Sequence, residues 1–295
     1  MVLLDGQPFF PVGIYDYPMQ VITNSGQPYT GVYLSRTVGD RDVNHLAELD
    51  SSFNVIVLDD HGQDLEPADT CVAADIQNCR QYGLAVIKSF DCSGAYDPAW
   101  LAQTNQVQIG SPLYQSLTNT LHAKNLLWIE TKDEASFGDD PSRIYPGTPW
   151  PTYEQFTNVN LFIHNTETNH LLWFNDGNYL GLPGSDRIVQ LQKWGQWCDI
   201  YSEDLYPDFT NSTSGTMGEP ASNLDWVRND IAPTQPNFMI LQGSGGVQNG
   251  YAPTNGQCAS YLQTRCMAWD SIVHGARGVM WWGTFFLDRN GSDWV

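Results

Sequence analysis

A chain of 295 residues, 41% of them hydrophobic, can bury a large core, and α/β barrels of this size commonly form one domain. Its 13 Lys+Arg against 33 Asp+Glu leave a net charge of -20, which repels phosphate backbones and anionic lipid and argues against nucleic acid or membrane surfaces as partners. No run reaches the roughly 18 apolar residues of a membrane span, and the opening MVLLDGQPFF has neither the basic nor the long apolar region of a signal peptide.

In chain order, PFFPVGIY (8 to 15) is the first apolar run, followed by a helix-like segment at 42 to 49. NVIVLDD (54 to 60) precedes a helix at 70 to 82, and LAVIKSFD (84 to 91) precedes one at 112 to 124. LLWIETKDE (126 to 134) then leads to a helix at 152 to 169, and LLWFNDG (171 to 177) to one at 185 to 197. DIYSEDLYP (199 to 207), a helix at 221 to 231, FMILQGSGG (238 to 246), a helix at 257 to 274 and GVMWWGTFF (278 to 286) complete the series. Near-continuous apolar runs fit strands covered on both faces, and their alternation with helices predicts parallel βαβ units. Eight such strands predict a closed (β/α)8 TIM barrel spanning 1 to 295 as one domain. Only LDRNGSDWV follows the last strand, so the eighth helix is expected to be short or absent. An open doubly wound sheet is disfavoured because no GxGxxG follows the first strand.

Barrel enzymes build their sites at the C-terminal ends of the strands. The residues there are Tyr15 with Asp16, Asp59, Asp60 and His61, Asp91, Asp133 and Glu134, Asp176, Glu203 with Asp204 and Tyr206, Gln242, Trp281 and Trp282. Any single Asp reads most simply as a helix cap or turn residue. Capping does not explain Glu134, Glu203 or Gln242. Converging acids, amides and aromatics, without phosphate-binding glycines, suit a neutral polyhydroxylated ligand, which means carbohydrate. The 11 Trp, 14 Tyr and 12 Phe supply rings both for the core and for stacking on sugar faces.

The six cysteines show no CxxC or Cys/His zinc spacing, so no metal and no cofactor is expected. Cys71 and Cys92 fall near one barrel rim and are open to two readings, a disulfide or buried thiols. Low lysine content and polar loops suit an exported, extracellular or periplasmic protein, and a monomer is the expected state. An aldol-type or sugar-phosphate barrel would need a Schiff-base lysine, such as Lys88, or a phosphate cradle. The loop GSGGVQNG imitates the cradle but carries no basic residue.

The segments LLDGQPFFPVGIYDYP, HLAELDSSFNVIV, DEAS, DIYSEDLYP, LQGSGG and RCMAWDSIVHGARGVMWWG resemble, in that order, TIM-barrel glycoside hydrolases with a "DEP" motif after strand four. The resemblance implies that Glu134 is the general acid/base. Ala135 replaces the Pro of that motif, Asp133 replaces the Asn of the largest retaining clan, and Gln242 stands where that clan carries its nucleophilic Glu. A glutamine cannot form the glycosyl ester, so the usual pair of carboxylates about 5 to 5.5 Å apart lacks its second member there.

Three readings stay open. Asp133 and Glu134 work as an adjacent pair, as in the family 20 and 123 hexosaminidases they resemble locally, with the substrate's 2-acetamido group as nucleophile. Alternatively Glu203, Asp204 or Asp176 acts opposite Glu134. In the third reading the barrel binds glycan without cleaving it. Strict alternation from Trp128 puts Glu130 and Glu134 on one face, and it predicts that Glu130 pairs with Lys88 inside the barrel.

Overall fold

The computed structural model describes residues 2–16, 52–59, 76–89, 126–136, 151–166, 168–177, 184–205, 217–242 and 261–282. The chain opens with a hairpin, β1 (Val2–Leu4) and β2 (Gln7–Phe9). Asp5 and Gly6 turn it with φ of 51° and 75°, the paired left-handed conformation that a two-residue Asp-Gly hairpin turn requires. Eight parallel strands then close on themselves: β3 (Val12–Asp16), β4 (Val55–Asp59), β5 (Ala85–Ser89), β6 (Leu126–Glu130), β7 (Leu171–Gly177), β8 (Ile200–Leu205), β9 (Asn237–Gln242) and β10 (Val279–Trp282). β10 pairs with β3, completing the (β/α)8 barrel that the alternating runs predict.

Among the described residues four helices lie between the later strands: α1 (Tyr153–Thr166), α2 (Gly184–Gly195), α3 (Glu219–Trp226) and α4 (Tyr261–Val273). α3 runs on into a π turn, Val227–Ile231, and a further helical stretch at 76–81 precedes β5. α1 begins with a capping box: Thr152 Oγ1 accepts from the Gln155 amide, and Gln155 Oε1 accepts from the Thr152 amide.

Each strand has two faces, and their contents identify inside and outside. Val55, Val57, Ile87, Trp128, Trp173, Ile200, Phe238, Ile240 and Met280 form the barrel interior, against which Val2, Leu4 and Phe9 of the hairpin pack. Ile14, Ile56, Val86, Ile129, Leu172, Phe174 and Tyr201 face outward and join helical residues such as Phe156 and Trp194. A second outward cluster joins Met239, Leu241, Val279 and Trp281 to Leu224 of α3 and Met267 of α4.

Alternation is broken once in β6. Leu126 pairs with Val86 and Trp128 with Ile87, so Leu127 is an extra residue, and both Leu127 and Trp128 join the interior. Lys88 therefore lies opposite the outward Ile129, whereas Glu130 lies opposite Ser89 and the inward Trp173. The expected Lys88–Glu130 pair inside the barrel is thereby corrected: the two residues belong to opposite faces of the sheet, because the residue before Lys88 shares the interior with Trp128.

Candidate active site

β6 ends at Glu130, and Thr131 turns outward to donate from Oγ1 to Asn160 Oδ1 of α1 at 2.8 Å. Alternation stops there. Glu134 has a φ of 50°, a left-handed conformation that costs an L-residue roughly 1 to 2 kcal/mol, so the turn carrying Asp133 and Glu134 must be held by its surroundings.

It is held from two sides. On the inner side the Glu134 amide donates to Asn175 O of β7 at 3.0 Å, and Asn175 Nδ2 donates to Asp133 Oδ1 at 2.7 Å. Ser202 Oγ of β8 donates in turn to Asn175 Oδ1 at 2.9 Å. This chain runs across β8, β7 and the end of β6, with both partner side chains buried. It sets the orientation of the Asp133 carboxylate beside Glu134, and both acids are half-buried. On the outer side Ser136 N donates to Asp176 Oδ2 at 3.1 Å, and Arg187 of α2 donates to Asp176 Oδ1 at 2.8 Å.

Register then sorts the expected site residues. Asp204 pairs with the interior Ile240 and shares its face with Ile200 and Ser202, so it belongs to the barrel interior. Glu203 pairs with Asp176 and with Met239, which packs outward among the helices, and its carboxylate accepts from the outward Tyr201 hydroxyl at 3.1 Å. Trp281 pairs with Leu241 and Ile14, both outward, and packs edge-on to Phe53 at 6.0 Å between centroids. The placement of Asp176, Glu203 and Trp281 at the barrel mouth is thus corrected, since all three point toward the helical layer. An apolar run that is buried on both faces hides which residues look inward.

The backbones of Tyr15, Trp282 and Gln242 sit side by side at the ends of β3, β10 and β9, with Trp282 paired to each of the other two. Asp60, Asp91 and Tyr206 lie outside the described residues, as do Cys71 and Cys92. Among the described residues no group of three or more His, Cys, Asp or Glu is arranged to hold a metal ion. Asn175 and Ser202 are functional candidates that the sequence reading missed, although Asn175 adjoins a residue it did select.

The outward carboxylates share one cation. Burial pushes Glu203 well above the ordinary glutamate value, and the neighbouring Asp176 charge adds to the rise against the pull of Arg187. Burial also raises Asp176, but Arg187 and the two hydrogen-bond donors of Ser136 pull it back. One guanidinium between two buried acids leaves both raised, Glu203 the more strongly.

No protein-family model matches the sequence, and no curated protein matches it either. Solved structures match in shape. An FMN-binding β-glucuronidase from Facaelibacterium prausnitzii L2-6 superposes with a TM-score of 0.53 at 12% identity, over 95% of this chain and 38% of that one. The catalytic domain of the family 26 endo-β-1,4-mannanase of Bacillus sp. JAMB-750 gives 0.53 at 14% identity, over 94% of this chain and 77% of that one. A fungal β-1,4-galactanase gives 0.53 at 14%, over 84% and 82%. This chain has the barrel fold of these glycoside hydrolases. It spans less than half the length of β-glucuronidase chains such as these, 38%, 45% and 31% of three of them.

Proposed function

We propose that the protein is a glycoside hydrolase that cleaves O-glycosidic bonds of an oligo- or polysaccharide, with Glu134 as general acid/base. The observation carrying this reading is the held acid pair. Asp133 and Glu134 leave the C-terminal end of a barrel strand on a turn fixed to β7, and Asn175 orients the Asp133 carboxylate at 2.7 Å. The barrel fold shared with glucuronidase, mannanase and galactanase structures supports the substrate class. An extracellular or periplasmic location suits such a substrate.

With Gln242 in place of a nucleophile and with Asp176 and Glu203 turned to the helices, the adjacent-pair mechanism needs the fewest further groups. The acetamido oxygen of a 2-acetamido sugar attacks the anomeric carbon, and Asp133 holds the acetamido N–H. Glu134 gives its proton to the departing glycosidic oxygen as the C–O bond breaks. Water then opens the cyclic intermediate, returning its proton to Glu134. Asp204, on the interior face, is the remaining described candidate for a second carboxylate. Tyr15, Asp60, Asp91, Tyr206, Gln242 and Trp282 are assigned to sugar binding.

Glu134→Gln should lower turnover about 100-fold to 10,000-fold on glycosides with poor leaving groups and much less on nitrophenyl glycosides, which need little protonation. Asp133→Asn should be nearly as damaging, and activity should require a 2-acetamido group. Cleavage of plain hexosides with a mild Asp133→Asn effect would move the second role to Asp204. Retention of glycan without any cleavage would favour a carbohydrate-binding barrel, the reading that Gln242 keeps open.

A further inference from the structure

Helix α2 lies outside the barrel, yet its Arg187 and Gln190 reach the turn that carries the acid pair. Arg187, 5% exposed, donates through Nη1 to Ser136 Oγ and to Gln190 Oε1, each at 2.9 Å. Through Nη2 it donates to Asp176 Oδ1 at 2.8 Å and to the carbonyl oxygen of Gly177. Gln190 Nε2 donates to Ser136 O at 2.7 Å, and the Ser136 amide donates to Asp176 Oδ2 at 3.1 Å. Ser136 thus has its hydroxyl, carbonyl and amide all engaged two residues after Glu134.

The geometry points to Arg187 as a positioning residue for Glu134, an inference that rests on the proposed glycosidase function. A left-handed Glu134 returns to ordinary backbone geometry unless both flanks of the turn are fixed. Asn175 fixes the upstream flank and the Arg187 fork fixes the downstream one. The fork matters because a planar guanidinium reaches the Asp176 carboxylate, the Gly177 carbonyl and the Ser136 hydroxyl at once, which a lysine ammonium on one flexible stem does not. Arg187 touches no reacting atom in this scheme. It acts through Ser136 on where the Glu134 proton is delivered.

Arg187→Lys keeps a cation beside Asp176 and so separates charge compensation from the fork, and Ser136→Ala removes one acceptor of the fork while leaving the Arg187–Asp176 pair whole. Expected for Arg187→Lys is a loss of kcat of roughly 10-fold to 100-fold on glycosides with poor leaving groups, with KM nearly unchanged and nitrophenyl glycosides largely spared. Ser136→Ala should change the same ratio in the same direction by less. Hydrogen exchange of the Ser136 amide should accelerate in Arg187→Lys while amides within β7 and β8 keep their protection. An equal loss on both substrate types, as a mere fall in folded enzyme would give, overturns the positioning role, and so does full activity of both variants. An unchanged Ser136 amide overturns the clamp itself. If the wild-type protein cleaves no glycoside, the proposed function fails and the catalytic role of Arg187 with it, while the exchange result still decides whether Arg187 holds the turn.

Discussion

Glu203 illustrates how one step along a strand changes what a carboxylate does. It is fully buried, faces α2 rather than the barrel interior, and shares Arg187 with Asp176. Its raised pKa means that the folded protein keeps a proton that the unfolded chain releases above the ordinary value near 4.5. The folded state then binds more protons than the unfolded one, so this group's contribution to stability is full below that value and falls as pH rises toward the folded pKa. Glu203→Gln does not titrate. Its stability relative to wild type, measured by denaturant unfolding, should therefore increase steadily as pH rises from about 4.5. A constant difference across that window would mean that Glu203 is not held protonated. Asp204, the next residue, belongs to the interior, and that single step separates a structural acid from a candidate for the site.

Helix α2 approaches β8 closely at Gly195. A methyl group on Gly195, the last residue of α2, would lie 2.8 and 2.9 Å from the Tyr201 ring carbons Cδ2 and Cε2. Alanine favours a helix over glycine by up to about 1 kcal/mol, yet overpacking of this kind costs about 1 to 3 kcal/mol. Gly195→Ala should lower unfolding stability on balance, and a stabilised variant in thermal melts would show that α2 moves freely away from β8. Tyr201 also donates to Glu203, so the same substitution should perturb the buried acid above it. The hairpin at the chain's start and the π turn after α3 both depart from the sequence expectation. Asp5-Gly6 is a hairpin signal in the sequence, and the apolar run from Pro8 to Tyr15 hides that β2 ends at Phe9 before the barrel strand starts at Val12. The π turn keeps Val227 and Ile231 both buried, a fit that periodicity over 221 to 231 reads as plain helix.

For the molecule as a whole, a net charge of -20 sets a self-repulsion that the few cations do not offset. Raising ionic strength from about 0.01 M to about 0.15 M shortens the screening length from about 30 Å to about 8 Å. Tm should rise over that range, since exposed like charges are screened while the buried Arg187–Asp176 pair is barely affected. A falling Tm would mean that favourable surface ion pairs outweigh the repulsion.

The closed parallel barrel is legible in the sequence alone, because runs such as NVIVLDD and FMILQGSGG are apolar on both faces and alternate with helical segments. The sequence also put Asp133 and Glu134 at the C-terminal end of the run LLWIETKDE, but alternation carried to Glu134 does not hold, since β6 ends at Glu130 and Glu134 sits on a left-handed turn. It left undecided which strand-end residues look inward. In a strand covered on both faces, hydrophobicity carries no mark of inside or outside, so Asp176, Glu203 and Trp281 read the same as Asn175, Ser202 and Asp204. Only pairing across the sheet, and the cluster each strand face joins, decided their faces. The same holds for Arg187, 51 residues from Ser136 in sequence and joined to it by a single hydrogen bond of 2.9 Å, because contacts across that distance exist only once the barrel has closed.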